Sequence, residues 1–203
     1  MGKTDMIDRR QFSIGLGATA LSTALATPGF SLTGAQAEFL VKSAVDDINK
    51  IIASGKSQSG MMGDFERVFT RYADVRIIAL TTLGPARRTA TNTQILAYTN
   101  AFKNYFTQKY GRRFREFVGG EIVVNGSRAS KRSIEVKSTA VLKGSAPFDV
   151  TWLVSDRSGS PKIFNIIIEG VNTLTSERAE IGAMLDKRGG NIDRLTADLA
   201  KFG

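Results

Sequence analysis

Neither cysteine nor histidine occurs in the 203 residues. Without histidine there is no Ser-His-Asp triad, no imidazole general base and no imidazole metal ligand. Without cysteine there is no thiol nucleophile, disulfide, iron–sulfur cluster or lipoprotein anchor. A zinc site would have to be built from carboxylates alone, which is unusual. No uninterrupted apolar run reaches the roughly 18 residues of a transmembrane span. Acidic residues are also in deficit, 19 against 28 Lys and Arg, for a net charge of +9. Paired carboxylates, Lys or Tyr chemistry, and binding without chemistry are what remain. The sequence is 42% apolar with 12 Phe, which argues against a disordered chain.

The N-terminus reads as an address. A short polar stretch ends in Arg9-Arg10, a weakly apolar stretch follows from Ile14 to Ala26, and Ala35-Gln36-Ala37 supplies a small-residue cleavage pattern before Glu38. Asp8-Arg9-Arg10-Gln11-Phe12 is similar to a twin-arginine motif, though the usual trailing Lys is missing. The expected organisation is a signal peptide over 1–37 and one domain over 38–203. Removing 37 of the 203 residues leaves 166. The leader holds three basic residues (Lys3, Arg9, Arg10) and two acidic ones (Asp5, Asp8), so its loss takes one unit from +9 and leaves +8. Export to a bacterial periplasm follows from this reading.

The first half of that domain is patterned for helices. Apolar residues recur at helical spacing from Glu38 to Ala53, and again at Phe65, Val68, Phe69 and Tyr72, where Asp64 is the expected N-cap. Ser54 to Gly63 reads as a loop. Asp74 to Leu83 reads as a short helix stopped by Gly84-Pro85. Thr91-Asn92-Thr93-Gln94 is a capping box for a long helix running to about Arg115. The second half switches to period two. Phe117 to Val124 ends at Asn125-Gly126, the pattern of a two-residue hairpin turn. Ile134–Leu142, Phe148–Val154 and Lys162–Ile168 follow as strands, then helices over Glu177–Arg188 and Ile192–Phe202. The expected fold class is α+β, one domain, with an antiparallel sheet of about four to five strands packed against helices.

The strands put Val136, Val150, Trp152, Phe164, Ile166 and Ile168 on one apolar face, with Phe102, Phe106 and Tyr110 of the long helix placed to cover it. Alternation does not distinguish a filled core from a lined cavity. Between Lys103 and Lys143 lie ten basic residues opposed only by Glu116, Glu121 and Glu135. That stretch is either solvated surface or a basic rim for phosphates or an acidic partner. No nucleic-acid-binding signature accompanies the charge. Asp74 and Glu169 flank apolar runs and are the carboxylates an enzyme reading would use, but neither belongs to a catalytic motif.

Two segments carry a family resemblance. The run Leu83-Gly84-Pro85-Ala86-Arg87-Arg88-Thr89-Ala90-Thr91, followed by Gln94, Tyr98, Phe102, Tyr105 and Tyr110-Gly111, resembles the MlaC family of toluene-tolerance-type periplasmic phospholipid-binding proteins. Ile168-Glu169-Gly170-Val171-Asn172 is similar to a second family segment, with Asn172 where Ser is usual, and Pro85-Ala86 stands where aromatics are common. The resemblance implies an NTF2-like or MlaC-like fold with an apolar cavity between sheet and helices. It also implies a non-catalytic carrier needing no cofactor and binding no nucleic acid. Such a carrier shuttles glycerophospholipid between an outer-membrane lipoprotein–porin complex and an inner-membrane ABC transporter with a lipid-capturing ring domain. On that reading the tails are lined by Val75, Ile78, Phe102, Phe106, Tyr110, Val136, Val150, Trp152, Phe164, Ile166, Ile168 and Val171. Arg87, Arg88, Arg112 and Arg113 are then candidates for head-group or partner contact. The alternatives are a carrier of another apolar lipid, such as a hopanoid, a cone-shaped α+β enzyme using Asp74 or Glu169, and a structural or adaptor protein with a filled core, which the absence of any cavity above roughly 300 Å³ would favour.

Overall fold

The computed structural model describes residues 32–112, 120–131 and 133–202. Four helices come first: α1 (Gly34–Ile52), α2 (Gln58–Tyr72), α3 (Val75–Thr82) and, after a 3-10 turn at Gly84–Arg88, α4 (Asn92–Gly111). Strands β1 (Glu121–Ser130), β2 (Ser133–Val141), β3 (Phe148–Ser155), β4 (Lys162–Ile168) and β5 (Val171–Asn172) form one antiparallel sheet in chain order. Helices α5 (Thr173–Asp186) and α6 (Ile192–Ala200) close the chain. This is the α+β architecture expected, with the sheet at five strands.

Each helix begins where a side chain can take an orphan N–H. Thr91 Oγ1 accepts from Gln94 N at 3.2 Å, and Gln94 Oε1 accepts from Thr91 N at 3.0 Å. The capping box read from the sequence is therefore formed. Thr91→Ala is expected to cost about 1 kcal/mol, measured by urea unfolding. Asp74 accepts from Ile77 N and starts α3. Asn172 and Asn191 do the same for α5 and α6.

Three local expectations are corrected. Ser54–Gly63 is not all loop: Ser57 caps α2, and the helix passes through Gly60 and Gly63 because Met61, Phe65 and Phe69 bury one continuous stripe. Asp64, expected as a cap, sits inside α2 and pairs with Lys56 at 2.7 Å and with Arg67. Asn125-Gly126 is no hairpin turn either. β1 runs straight through it, and the register skips Asn125 between the pairs Val124–Ser138 and Gly126–Lys137. Gly126 takes φ 139° there, which only glycine adopts freely, and the Asn125 amide donates to Thr139 Oγ1 at 2.8 Å. The reversal comes later, beyond the pair Ser130–Ser133. Phe117, Arg113 and Arg115 lie outside the described residues.

Two apolar clusters result. One is helical: Phe69, Ile78, Tyr98, Phe102, Tyr105 and Ile181 lie at its centre, drawn from α2 to α5, with α6 closing it. The other is the buried sheet face under α1, where Val41 and Val45 meet Val136, Val150, Trp152 and Val154. The peptide between α2 and α3 is tied to the sheet, since Asp74 N donates to Ile163 O at 2.8 Å. At the other end, α1 starts at Gly34 with its own capping box at Thr33, and Ala37 is 0% exposed. The expected leader boundary after Ala37 thus falls within the first turn of a formed helix.

Candidate functional site

A cleft of about 100 Å³ lies at the seam of the two clusters. Helix α1 contributes Ala44 and Ile48, and α2 contributes Phe65, Val68, Phe69 and Tyr72. Across from them stand Trp152 of β3 and Ile163, Phe164, Asn165 and Ile166 of β4. Ala73 after α2, Ile78 of α3, Phe106 of α4 and Thr173, Leu174 and Glu177 of α5 complete the wall. Ile48, Phe65, Val68 and Phe164 line the cleft and belong to neither cluster.

Five of the residues singled out in the sequence line this cleft: Ile78, Phe106, Trp152, Phe164 and Ile166. The other seven stand elsewhere. Phe102 is sealed in the helical cluster, and Val75 packs against that cluster's edge. Val136 and Val150 are covered by the sheet cluster. Tyr110 turns its hydroxyl to Glu177 Oε1 at 2.6 Å. Ile168 and Val171 flank the Glu169-Gly170 turn beyond the helical cover and are 38% and 60% exposed. Phe164 reaches the cleft by an unforeseen route. The β3–β4 register skips it, between the pairs Leu153–Asn165 and Val154–Ile163, so Ile163 takes its place on the buried sheet face. The cleft residues of α1 and α2 were visible only as helical apolar stripes, with nothing in the sequence to say that those stripes border an opening.

Trp152 is held from behind, its indole N–H donating to Ser138 Oγ at 2.9 Å, and Ser138 donating on to Val150 O at 3.1 Å. Asn165 is satisfied as well: its Oδ1 accepts from the Ile166 and Leu174 amides, and its amide donates to Asn172. The polar residue that differs is Glu177, 1% exposed on α5. Its Oε1 accepts from Lys109 Nζ at 2.7 Å and from Tyr110. Lys109 also reaches Glu180 Oε2 at 2.5 Å, and Tyr105 donates to Glu180 Oε1 at 2.7 Å. Burial works to lower the Lys109 pKa, but the two carboxylates outweigh it and raise it. Burial, with the Glu180 carboxylate next, holds the Tyr105 phenol protonated far above its ordinary range.

Three of the ten residues of the expected basic rim are paired with carboxylates, and Arg113, Arg115 and Arg132 lie outside the described residues. Lys103 pairs with Glu66 at 2.7 Å, Arg128 with Glu135 at 2.6 Å, and Lys109 with two carboxylates. Arg87 and Arg88 are exposed on the 3-10 turn, and Arg87 donates to Leu80 O at 3.4 Å. Arg112 is exposed, its guanidinium 6.0 Å over the Phe202 ring. Arg113 lies outside the described residues. Of the carboxylates an enzyme would use, Asp74 is a helix cap and Glu169 is exposed in a tight turn at φ 49°.

With no His or Cys, no side chain of ordinary pKa titrates between about 5 and 8. The Tyr72 hydroxyl holds Asp47 below the ordinary 3.8, and Lys56 does the same for Asp64. Arg128 holds Glu135 below 4.5; for Glu180 burial works upward, but Lys109 and Tyr105 outweigh it. These depressed groups stabilise the fold above their unfolded values and lose that contribution as pH falls through the folded ones. Lys109 and the raised tyrosines Tyr72, Tyr98 and Tyr105 act oppositely, losing their contribution as pH rises past about 10. The melting temperature is therefore expected to be flat from about pH 6 to 9 and to fall on both sides. Differential scanning fluorimetry across pH 3 to 11 checks it.

Comparison with known proteins adds two findings. The family model described as MlaC protein matches residues 42–201. A solved structure of a phospholipid-binding protein from Ralstonia solanacearum, in complex with a phospholipid, has a TM-score of 0.68 with this chain at 21% identity, over 81% of this chain and 99% of that one. At that identity the likeness is one of fold.

Proposed function

The chain belongs to the MlaC family, and from that premise we propose that it is an exported, periplasmic carrier of glycerophospholipid that performs no chemistry. The leader is residues 1–37. The partners are an inner-membrane ABC transporter with a lipid-capturing ring domain and an outer-membrane lipoprotein–porin complex. The observation that carries the proposal is the cleft itself, walled almost wholly by carbon between two separately packed clusters.

The physical need is large. Each methylene held in water costs about 0.8 kcal/mol, so two C16 tails of roughly 28 methylenes cost on the order of 20 kcal/mol. A carrier must supply an apolar sheath, and a wall with few directional groups accepts mixed chains. At about 100 Å³ the cleft is below the roughly 300–1,000 Å³ of ligand pockets. Loading must therefore part the sheet cluster from the helical one along the seam of Ile48, Val68 and Phe164. Neither cluster needs to be unmade for this, because each has its own buried core.

Mass spectrometry of an organic extract of the purified protein tests the proposal. Glycerophospholipid in roughly equimolar amount is expected. Another apolar lipid, such as a hopanoid, or no lipid at all, overturns it.

A further inference from the structure

Among the described residues, one buried polar atom of the cleft wall is left without a partner. Glu177 Oε2 is buried, belongs to a residue of the cleft wall, and has no hydrogen-bond partner among the described residues. Its sister oxygen is occupied by Lys109 and Tyr110. A buried acceptor left empty costs the full desolvation of that group, so its natural complement is a donor brought by the ligand. Charge points the same way. Glu177, Glu180 and Lys109 amount to two negative charges against one positive, and both tyrosines that complete the network are neutral donors.

The position fits the polar end of a ligand. Lys109 and Glu180 rise from Glu177 to the surface, with side chains 27% and 47% exposed, while Glu177 itself is covered. The cluster therefore joins the apolar cleft to solvent at this wall. A lipid whose tails fill the seam can present its head here.

We propose that Glu177 is a head-group recognition residue, its Oε2 accepting a hydrogen bond from an N–H or O–H donor on the polar end of the cargo. The inference rests on the carrier reading above and adds a selectivity to it. Phospholipids with an ammonium or hydroxyl donor in the head group are held; a quaternary choline, which has no such donor, is not.

The test loads the purified protein from mixed vesicles holding equal amounts of phosphatidylethanolamine, phosphatidylglycerol and phosphatidylcholine with matched chains. Bound lipid is counted by mass spectrometry. At least one donor-bearing lipid is expected to exceed phosphatidylcholine by about tenfold, the worth of one charge-assisted hydrogen bond. Glu177→Gln erases that preference. Lys109 and Tyr110 hold the amide oxygen, which turns the amide N–H₂ toward the cleft and replaces an acceptor with a donor. Tyr110→Phe leaves the carboxylate in place and keeps the preference. Bound lipid that mirrors the vesicle composition in the wild type overturns the inference and leaves the carrier reading standing. A protein that takes up no phospholipid overturns both. The wild-type measurement decides even where Glu177→Gln does not fold.

Discussion

Val68→Trp is expected to reduce bound lipid by more than tenfold while leaving the melting temperature within about 2 °C of wild type. Val68 lines the cleft from α2 and belongs to neither apolar cluster, so the substitution disturbs no sealed core. The indole extends into a cleft of only about 100 Å³ and takes space that tails need. Displacing as few as two methylenes costs about 1.6 kcal/mol, already more than tenfold in affinity. A half-exposed site that loses no packing changes stability by about 0.5 kcal/mol or less, which is the basis of the small thermal shift. Lipid per protein from the extract and a thermal melt on the same sample check both halves. Unchanged lipid loading would show that the tails lie elsewhere.

Lys109→Ala is expected to destabilise the fold by about 3 kcal/mol, near the low end for removing one partner of a buried pair. The lysine is partly exposed, but its partner Glu177 is not, and the variant leaves that carboxylate buried with only Tyr110 to hold it. The melting temperature falls by roughly 6–12 °C. Glu180→Gln is the contrast: that carboxylate is about half exposed, and its loss is expected to cost under about 1 kcal/mol. The double variant Lys109→Met with Glu177→Met recovers most of the stability, because it removes both charges rather than stranding one. Urea unfolding of the four proteins separates a stranded charge from a simple loss of contacts, which the double variant would worsen.

Features set by neighbouring residues were legible in the sequence. Thr91 with Gln94 specifies a helix start within four residues, and alternation over Ile134–Leu142 and Phe148–Val154 specifies strands and their buried side. What depended on distant partners was not. Asn125-Gly126 has hairpin chemistry, but continued pairing of β1 with β2 to Ser130–Ser133 outweighs a local turn and absorbs the glycine as a bulge. The skip at Phe164 depends on how β4 meets β3, so strict period two assigns the wrong partner to Val154. Half of the cleft was hidden for a similar reason. Ile48, Phe65 and Val68 have the spacing of ordinary core helices, and only the packing of two clusters leaves a gap beside them. In the sequence, Glu177 and Glu180 have the i, i+3 spacing of any solvated helix-surface pair. Only the approach of α4, bringing Lys109 and Tyr110, makes one of the two a buried acceptor.

The buried start of α1 sets an order of events in time. A peptidase needs its target bond in an open, extended segment, and the bond after Ala37 lies in a closed helical turn. On the proposed cut, clipping must come before α1 settles on the sheet, or during a fraying of its end. The cut also removes Thr33 and Gln36, a cap worth about 1 kcal/mol, and places a new ammonium at the positive end of the helix dipole. On that proposed cut, the helix that brings Ala44 and Ile48 to the cleft loses its N-terminal latch, and the uncut chain is the more tightly held of the two forms.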